Sequence, residues 1–451
     1  MTPNPSSVPA PPPGMERMRL HYGFNETDNW RHFALGPGRE NIRQRLRALD
    51  TRVMRIFLYD KGAPDPVTEW PRFAAYVQAV LDVGARPMIT FAKFMPPYED
   101  TRNLRTFVAR CADVAWGCRE QWGEAIRDWY WCIWNEPNNL EIGGGLSFAQ
   151  YRRIYEEVAG AILHQLEPCL EGRKARIGGP AVDGFQPFWL DWICRLVSEV
   201  DNNLVGFASW HRYADWRPAE AATERYGVPP PPVGDAYAAL VLAQTPEYES
   251  RARAVGRLLA GRDILNFCAE LNVLSHPDPR VSSTFNQGLT AAAYYASALV
   301  HLMRGGADLE MWWSATDDAG PYGIMDKDGT PYPACLAKQL CVQYVRTGDW
   351  VRFPICPDQV PGVDAVVAHG ENGRRSGLFV NMTEAPRVLT VADLTDELHD
   401  SRTVLRLDRA SGNIVQRESF DGTLHLGGCG VAVVTNILAA DQTAERAGNR
   451  D

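Results

Sequence analysis

The chain has 451 residues, is 45% hydrophobic and 22% charged, and carries a formal net charge of -9. A chain of that size can bury a large core, and the composition is that of an ordinary globular protein. The acidic balance, without any Lys/Arg-rich run, argues against a nucleic-acid partner and against a basic helix lying on a membrane.

Residues 1–15, rich in Pro and Ser, read as a disordered leader, with neither the basic start nor the apolar stretch of a signal peptide. The most apolar segment, Ala291 to Val300, is too short to span a bilayer and reads as a buried helix. Ten cysteines occur without a C-x-x-C pair, which fits free thiols in a reducing compartment. The expected location is the cytoplasm.

From there the chain alternates. Short apolar runs predict strands at Arg19–Phe24, Val53–Leu58, Arg86–Thr90, Trp129–Trp134, Ala175–Gly178, Leu204–Ser209, Ile264–Ala269 and Leu309–Trp313. Between them, longer periodic segments predict helices at Glu40–Leu49, Glu69–Val83, Leu104–Trp122, Ser147–Leu166, Pro187–Val200 and Thr290–Met303. Ser147 with Gln150 three residues on is a capping box. Gly84 and Gly172 suit helix C-termini. Eight such units predict an α/β fold, a (β/α)8 TIM barrel over residues 16–346, although counting by itself also allows a doubly wound sheet. Beyond about Trp350 the pattern becomes short strands separated by turns such as Glu371-Asn372-Gly373 and Ser411-Gly412-Asn413. It predicts a small C-terminal antiparallel β-sandwich over residues 350–440, followed by a frayed tail at 441–451.

Two loops are long. Ala214 to Thr245, containing Pro229 to Pro232, follows the sixth strand and reads either as a lid or as a solvated insertion. Asn135 to Leu146 follows the fourth, and its Gly143-Gly144-Gly145 triplet is expected to loosen it.

In a barrel of this kind, side chains at the C-terminal ends of the strands meet at one mouth. The first strand carries His21 and the second Arg55. The fourth ends in Trp134-Asn135-Glu136-Pro137-Asn138-Asn139 and the sixth in His211-Arg212-Tyr213. The seventh ends in Glu270-Leu271-Asn272, and the eighth in Trp312-Trp313 with Asp317 beyond. Glu136 and Glu270 thus face each other across a rim of His, Tyr, Asn, Arg and Trp. Two carboxyl groups are what hydrolysis of a glycosidic bond requires, one to protonate the leaving oxygen and one to attack or stabilise the anomeric carbon. Tryptophan faces stack on sugar rings. Glu247 and Glu249 are the alternatives to Glu270, but they lie in a polar, helix-like stretch. Alternation sends one of Trp312 and Trp313 inward; Trp313 is preferred. Trp30, Phe94 and Trp216 are further candidates for the cleft wall. No phosphate loop, dinucleotide fingerprint, metal-ligand spacing or nucleophile elbow occurs, so neither cofactor nor metal is expected.

The string Trp134-Asn135-Glu136-Pro137-Asn138 resembles the acid/base motif of the clan of retaining barrel glycosidases. More narrowly, the chain resembles glycoside hydrolase family 39, which includes β-xylosidases and α-L-iduronidases. The resemblance rests also on Phe94-Met95-Pro96, Ser209 to Tyr213, Phe267 to Asn272, and Tyr322-Gly323-Ile324-Met325 through Lys338. It implies Glu136 as acid/base, Glu270 as nucleophile and Asn135 on the substrate 2-hydroxyl. Tyr213 would orient the nucleophile, His211 line the same wall, Arg55 support the nucleophile's charge, and Trp313 or Trp312 form the platform under the sugar. The implied partner is an oligosaccharide or polysaccharide. Three readings stay open: an exo-acting β-glycosidase, an endo-acting enzyme on a bacterial exopolysaccharide, and a sugar-binding barrel without catalysis. The oligomeric state is not legible.

Overall fold

The structure, a computed structural model, describes residues 12–26, 30–59, 63–217, 235–317, 320–354, 360–391, 395–411 and 414–437. The leader up to residue 11, most of the Pro-rich insertion (218–234), Gly412-Asn413 and the tail from 438 lie outside the described residues.

A two-residue strand, β1 (Glu16–Arg17), precedes a closed barrel of eight parallel strands. These are β2 (His21–Glu26), β3 (Thr51–Leu58), β4 (Arg86–Phe91), β5 (Tyr130–Ile133), β6 (Ile177–Val182), β7 (Phe207–Tyr213), β8 (Leu265–Asn272) and β9 (Leu309–Trp312). Closure decides between the two topologies that counting left open. The strands are buried on both faces, which is why each reads as a nearly unbroken apolar run. Val53, Met88, Tyr130, Phe207, Phe267 and Met311 fill the barrel interior. The outward side chains pack under the helices, among them Arg39–Ala48, Trp70–Asp82, Thr101–Trp122, Phe148–Leu170 and Trp189–Glu199. Both halves of the Ser147–Gln150 capping box are formed.

The second unit is a seven-stranded antiparallel sheet facing a two-stranded ribbon. The sheet runs β1, β10 (Trp350–Arg352), β11 (Val363–His369), β12 (Arg375–Asn381), β17 (Val431–Thr435), β14 (Thr403–Leu407), β15 (Gln416–Ser419). The ribbon pairs β13 (Arg387–Thr390) with β16 (Thr423–Leu426). One edge strand therefore comes from ahead of the barrel, with Met15 beside it in the sandwich core. The sheet's other face shares the barrel's core through Val366, Leu378 and Val433, against the helices Leu289–Gly305 and Pro333–Tyr344. Arg374 donates to the Tyr344 carbonyl at 3.0 Å and pairs with Asp349 at 2.6 Å, both within this seam.

Candidate active site

The centre of the barrel mouth is a buried arginine. On β3 the residues Val53, Arg55 and Phe57 alternate inward, and Arg55 is wholly buried with its guanidinium 4.4 Å from the Phe57 ring centroid. Its donors fan out to three strand ends. Nε donates to Thr90 Oγ1 at 2.9 Å, Nη2 to Asn135 Oδ1 at 2.8 Å, and Nη1 to Glu270 Oε1 at 2.7 Å. A planar fork of fixed donors can hold several acceptors at once where an ammonium could not. Asn25, from β2, accepts from Arg55 Nη1 at 3.5 Å while donating to the carbonyls of Ala269, Met311 and Trp312 at 3.0 to 3.3 Å.

Glu136 is placed by an irregular turn past β5. Trp134 and Glu136 both take positive φ, 75° and 47°, in the sparsely populated left-handed region. The Glu136 N–H donates to the Ala181 carbonyl at 2.9 Å, tying the turn to the end of β6. The glycine triplet, expected to loosen this loop, does the opposite. A Cβ on Gly143 would lie 1.9 Å from the Glu136 carbonyl oxygen, and one on Gly144 2.5 Å from the Tyr98 hydroxyl. Trp134 Nε1 donates to the Gly143 carbonyl at 2.9 Å. Glycine is needed here because the loop folds back onto the Glu136 backbone without space for a side chain.

The two glutamates converge on His211. Its Nδ1 lies 2.8 Å from Glu136 Oε1 and 3.4 Å from Glu270 Oε2, and its Nε2 is 3.3 Å from Arg55 Nη1. Tyr213 donates to Glu270 Oε2 at 3.2 Å. Burial, then the charges of Glu270 and Glu136, push the Tyr213 phenol well above its ordinary range, so it remains a donor. Glu270 reaches the mouth through a local irregularity. Phe267 points into the barrel, so strict alternation would send Glu270 outward; the shift in register between Cys268 and Leu271 turns it in.

Oxygens of Glu136 and Glu270 and a nitrogen of His211 all lie within 4.8 Å of one another. That spacing would admit a metal ion, but the Arg55 cation already lies against Glu270 and faces the histidine. A second positive charge would be repelled, and the donor set suits a carboxylate pair better.

Trp313 stands at the rim, partly exposed, with its ring edge-on to Phe57 at 5.4 Å. Trp312 is fully buried and turned away from the mouth, its ring 4.5 Å from that of Tyr295 on an outer helix. His21, expected on the substrate wall, is the first residue of β2 and lines a cavity at the opposite end of the barrel. It shares a strand with mouth residues but sits at its wrong end. Trp30 packs against Tyr76, and Phe94 buttresses Trp134. Asp317 ties the last loop, accepting from the Gly323 N–H at 3.0 Å and from Gln287.

Sequence reasoning missed four residues. Asn25 and Thr90 carry no motif and become visible only as Arg55 partners. Asn139 Nδ2 lies 3.4 Å from Glu136 Oε2 and donates to Asp183 Oδ2 at 2.9 Å, while Asn138 accepts from the Asp183 N–H at 2.9 Å. The signal for Asn139 was present in the Asn138-Asn139 pair; Asp183 gave none.

The fold is a closed (β/α)8 barrel with a β-sandwich, and two carboxylates stand at the ends of its fourth and seventh strands. The chain resembles glycoside hydrolase family 39 in sequence and shares its fold. A β-xylosidase from Geobacillus stearothermophilus is 30% identical over 184 residues, 37% of this chain and 34% of that protein, so the match spans about a third of the relative's length. A family 39 β-xylosidase structure from Caulobacter crescentus superposes with a TM-score of 0.63 at 16% identity, covering 95% of this chain and 98% of that one. A family 39 enzyme from Xanthomonas axonopodis pv. citri gives 0.60 at 15% identity, over 96% and 99%. A family 51 α-L-arabinofuranosidase from Bifidobacterium longum gives 0.65 at 15% identity, over 94% and 97%. No protein-family model matches the chain. Among the described residues, no helix is long and apolar enough to cross a membrane.

Proposed function

We propose that the protein is a retaining glycoside hydrolase acting on an oligosaccharide or polysaccharide, an exo-acting β-glycosidase of the β-xylosidase kind. The observation that carries the reading is the carboxylate pair, with oxygens within 4.8 Å of each other. Retaining enzymes hold their carboxyl groups about 5–5.5 Å apart, whereas inverting ones leave about 6.5–9.5 Å for a water. The β-xylosidase from Geobacillus supports the choice of sugar class.

In this reading Glu136 protonates the departing glycosidic oxygen while Glu270 attacks the anomeric carbon and forms a glycosyl ester. Glu136, now a carboxylate, takes a proton from the incoming water, which displaces Glu270 and restores the starting configuration. Arg55 and Tyr213 hold Glu270 by one oxygen each, fixing its line of attack. Asn135, held by Arg55, presents its amide to the 2-hydroxyl. Trp313 supplies an apolar face beneath the ring. His211 touches both carboxylates and keeps them in register.

The mutants separate the two roles. Glu270→Ala is expected to fail on every substrate. Glu136→Ala should still form the ester from a dinitrophenyl glycoside and then stall; azide should release it as a glycosyl azide with the substrate's configuration. NMR of the first-formed wild-type product decides the stereochemistry, and inversion would overturn the assignment of Glu270.

A further inference from the structure

At the end of the barrel opposite Glu136 and Glu270 lies a cavity of about 650 Å³. A strand's length separates the two, about 20 Å for six residues. Its floor is the lowest interior layer of the barrel, with Tyr130, Phe267 and Leu309. Its walls hold seven arginine and lysine side chains against three aspartates, in a chain whose overall charge is -9.

Three of these seven cations have no carboxylate bound to them among the described residues. Arg19 pairs with Asp308, and Arg176 with Asp128 at 3.3 Å. Arg52 pairs with Asp50 at 2.8 Å, outside the cavity, and Arg127 with Glu171 at 3.0 Å and, within it, with Asp128 at 3.9 Å. Among the described residues, Arg86 and Arg173 have no carboxylate partner, and Lys174 Nζ donates only to the Asp263 carbonyl, at 2.8 Å. Helix C-termini also gather at this end of a barrel, and their partial negative charge accounts for a cation such as Arg173, just past the helix Phe148–Leu170. It does not account for Arg86. Arg86 opens β4 two residues before the inward Met88, so both side chains share the inner face. Arg176 lies with its guanidinium 5.1 Å from the Tyr130 ring centroid, over the floor. Arg86, Arg173 and Lys174, like charges without a carboxylate bound to them and gathered in one concave mouth, focus a positive potential there.

We infer that this mouth is a second ligand site, one that takes a compact polyanion of the diphosphate type. Guanidinium groups bind phosphate oxygens bidentately, and several around one concave site favour a multiply charged anion over a single phosphate. A free diphosphate and the phosphate tail of a nucleotide share this chemistry. The site stands apart from the glycosidase reading and survives its failure.

The test is calorimetric titration of the whole protein at low ionic strength with pyrophosphate, phosphate and ADP, on wild type and on Arg86→Ser/Arg173→Ser. Pyrophosphate should bind at least about tenfold tighter than phosphate, and the double variant should lose at least about tenfold in affinity. ADP binding as tightly as pyrophosphate would assign the site to nucleotides; weaker ADP binding would assign it to the free diphosphate. Both side chains are exposed, so the variant should melt with the wild type in the absence of anion, which separates lost binding from lost folding. No pyrophosphate binding at millimolar concentration, undiminished binding in the double variant, or tighter binding of a short duplex DNA would each overturn the proposal.

Discussion

Among the residues of the mouth, Tyr213 offers the cleanest single-group test. Among the described residues its hydroxyl bonds Glu270 Oε2, at 3.2 Å, and its raised pKa keeps the proton on oxygen throughout the working range. A hydrogen bond to a charged group contributes about 1.5–3 kcal/mol. Tyr213→Phe should therefore lower kcat/KM on an aryl glycoside by about 10- to 150-fold while leaving the melting temperature near wild type. An unchanged kcat/KM would remove Tyr213 from the machinery that holds Glu270. Arg55 is a poorer probe. It is wholly buried and its loss strands Glu270 and Asn135 together, so breaking the pair costs about 3–5 kcal/mol of folding free energy besides any activity.

The element that matters most to Glu136 is the loop from Asn135 to Leu146. Its glycines are sites of close approach, and two substitutions of the same kind should diverge accordingly. Gly143→Ala would drive a methyl into the Glu136 carbonyl, at 1.9 Å in the unrelaxed structure, and must displace that turn. Activity should fall steeply, with about 1–3 kcal/mol of destabilisation from overpacking. Gly160→Ala meets nothing within 4 Å inside the helix Phe148–Leu170. It should be neutral to activity and stabilise by about 0.5–1 kcal/mol, because alanine has less backbone entropy to lose. Activity assays and denaturant melts on the two variants check both halves; a fully active Gly143→Ala would show that the clasp does not position Glu136.

At the scale of the whole molecule, the sandwich is bound to the barrel by packing and by a polar contact that titrates. His301, on the helix Leu289–Gly305, reaches Glu249 Oε2 at 3.1 Å and, across the seam, Asp364 Oδ2 at 3.4 Å. Burial by itself would depress the imidazole, but its contacts with the Asp364 and Glu249 carboxylates prevail and raise its pKa; the same contacts lower both carboxylates against the opposing effect of burial. The folded protein thus holds the His301 proton more tightly than the unfolded chain. That contribution is complete below the unfolded pKa of about 6.5 and is lost as pH rises through the raised folded value. The carboxylate contribution runs the other way, present above their unfolded values of about 4 and lost as pH falls through the lowered ones. Stability from this contact should peak in the mildly acid window between them. His301→Gln should flatten the alkaline side of the melting temperature plotted against pH; an unchanged slope there would show that His301 contributes nothing to it. Ending the chain near Val345 would expose Val342 and Tyr344 and the sandwich-facing side of Leu289–Gly305. The shortened barrel should be insoluble or unstable, and a soluble one with full activity would contradict that expectation.

The sequence by itself determined the eightfold alternation, and with it the α/β class, because strands buried on two faces need apolar residues at every position and surface helices need them on one. It also determined which strand ends carry Glu136, Asn135, His211, Tyr213, Arg55 and Glu270, since polar residues ending apolar runs stand out. Which of these meet was decided by the tertiary structure. His21 also lies on a barrel strand, but a strand has two ends, and periodicity does not say how far the first one extends before its side chains reach the mouth. Glu270 points inward only through an irregular register, and Trp134 and Glu136 adopt left-handed backbone that their residue types do not call for. Asn25, Thr90 and Asp183 are ordinary residues in sequence; closing the barrel brings the first two to Arg55 and the third, through Asn139 of the same loop, to Glu136. The N-terminal mouth is the same kind of product. Its cations are spread between Arg19 and Arg176, only the last three of them close together in the chain, and only closure of eight strands into a ring sets them around one cavity.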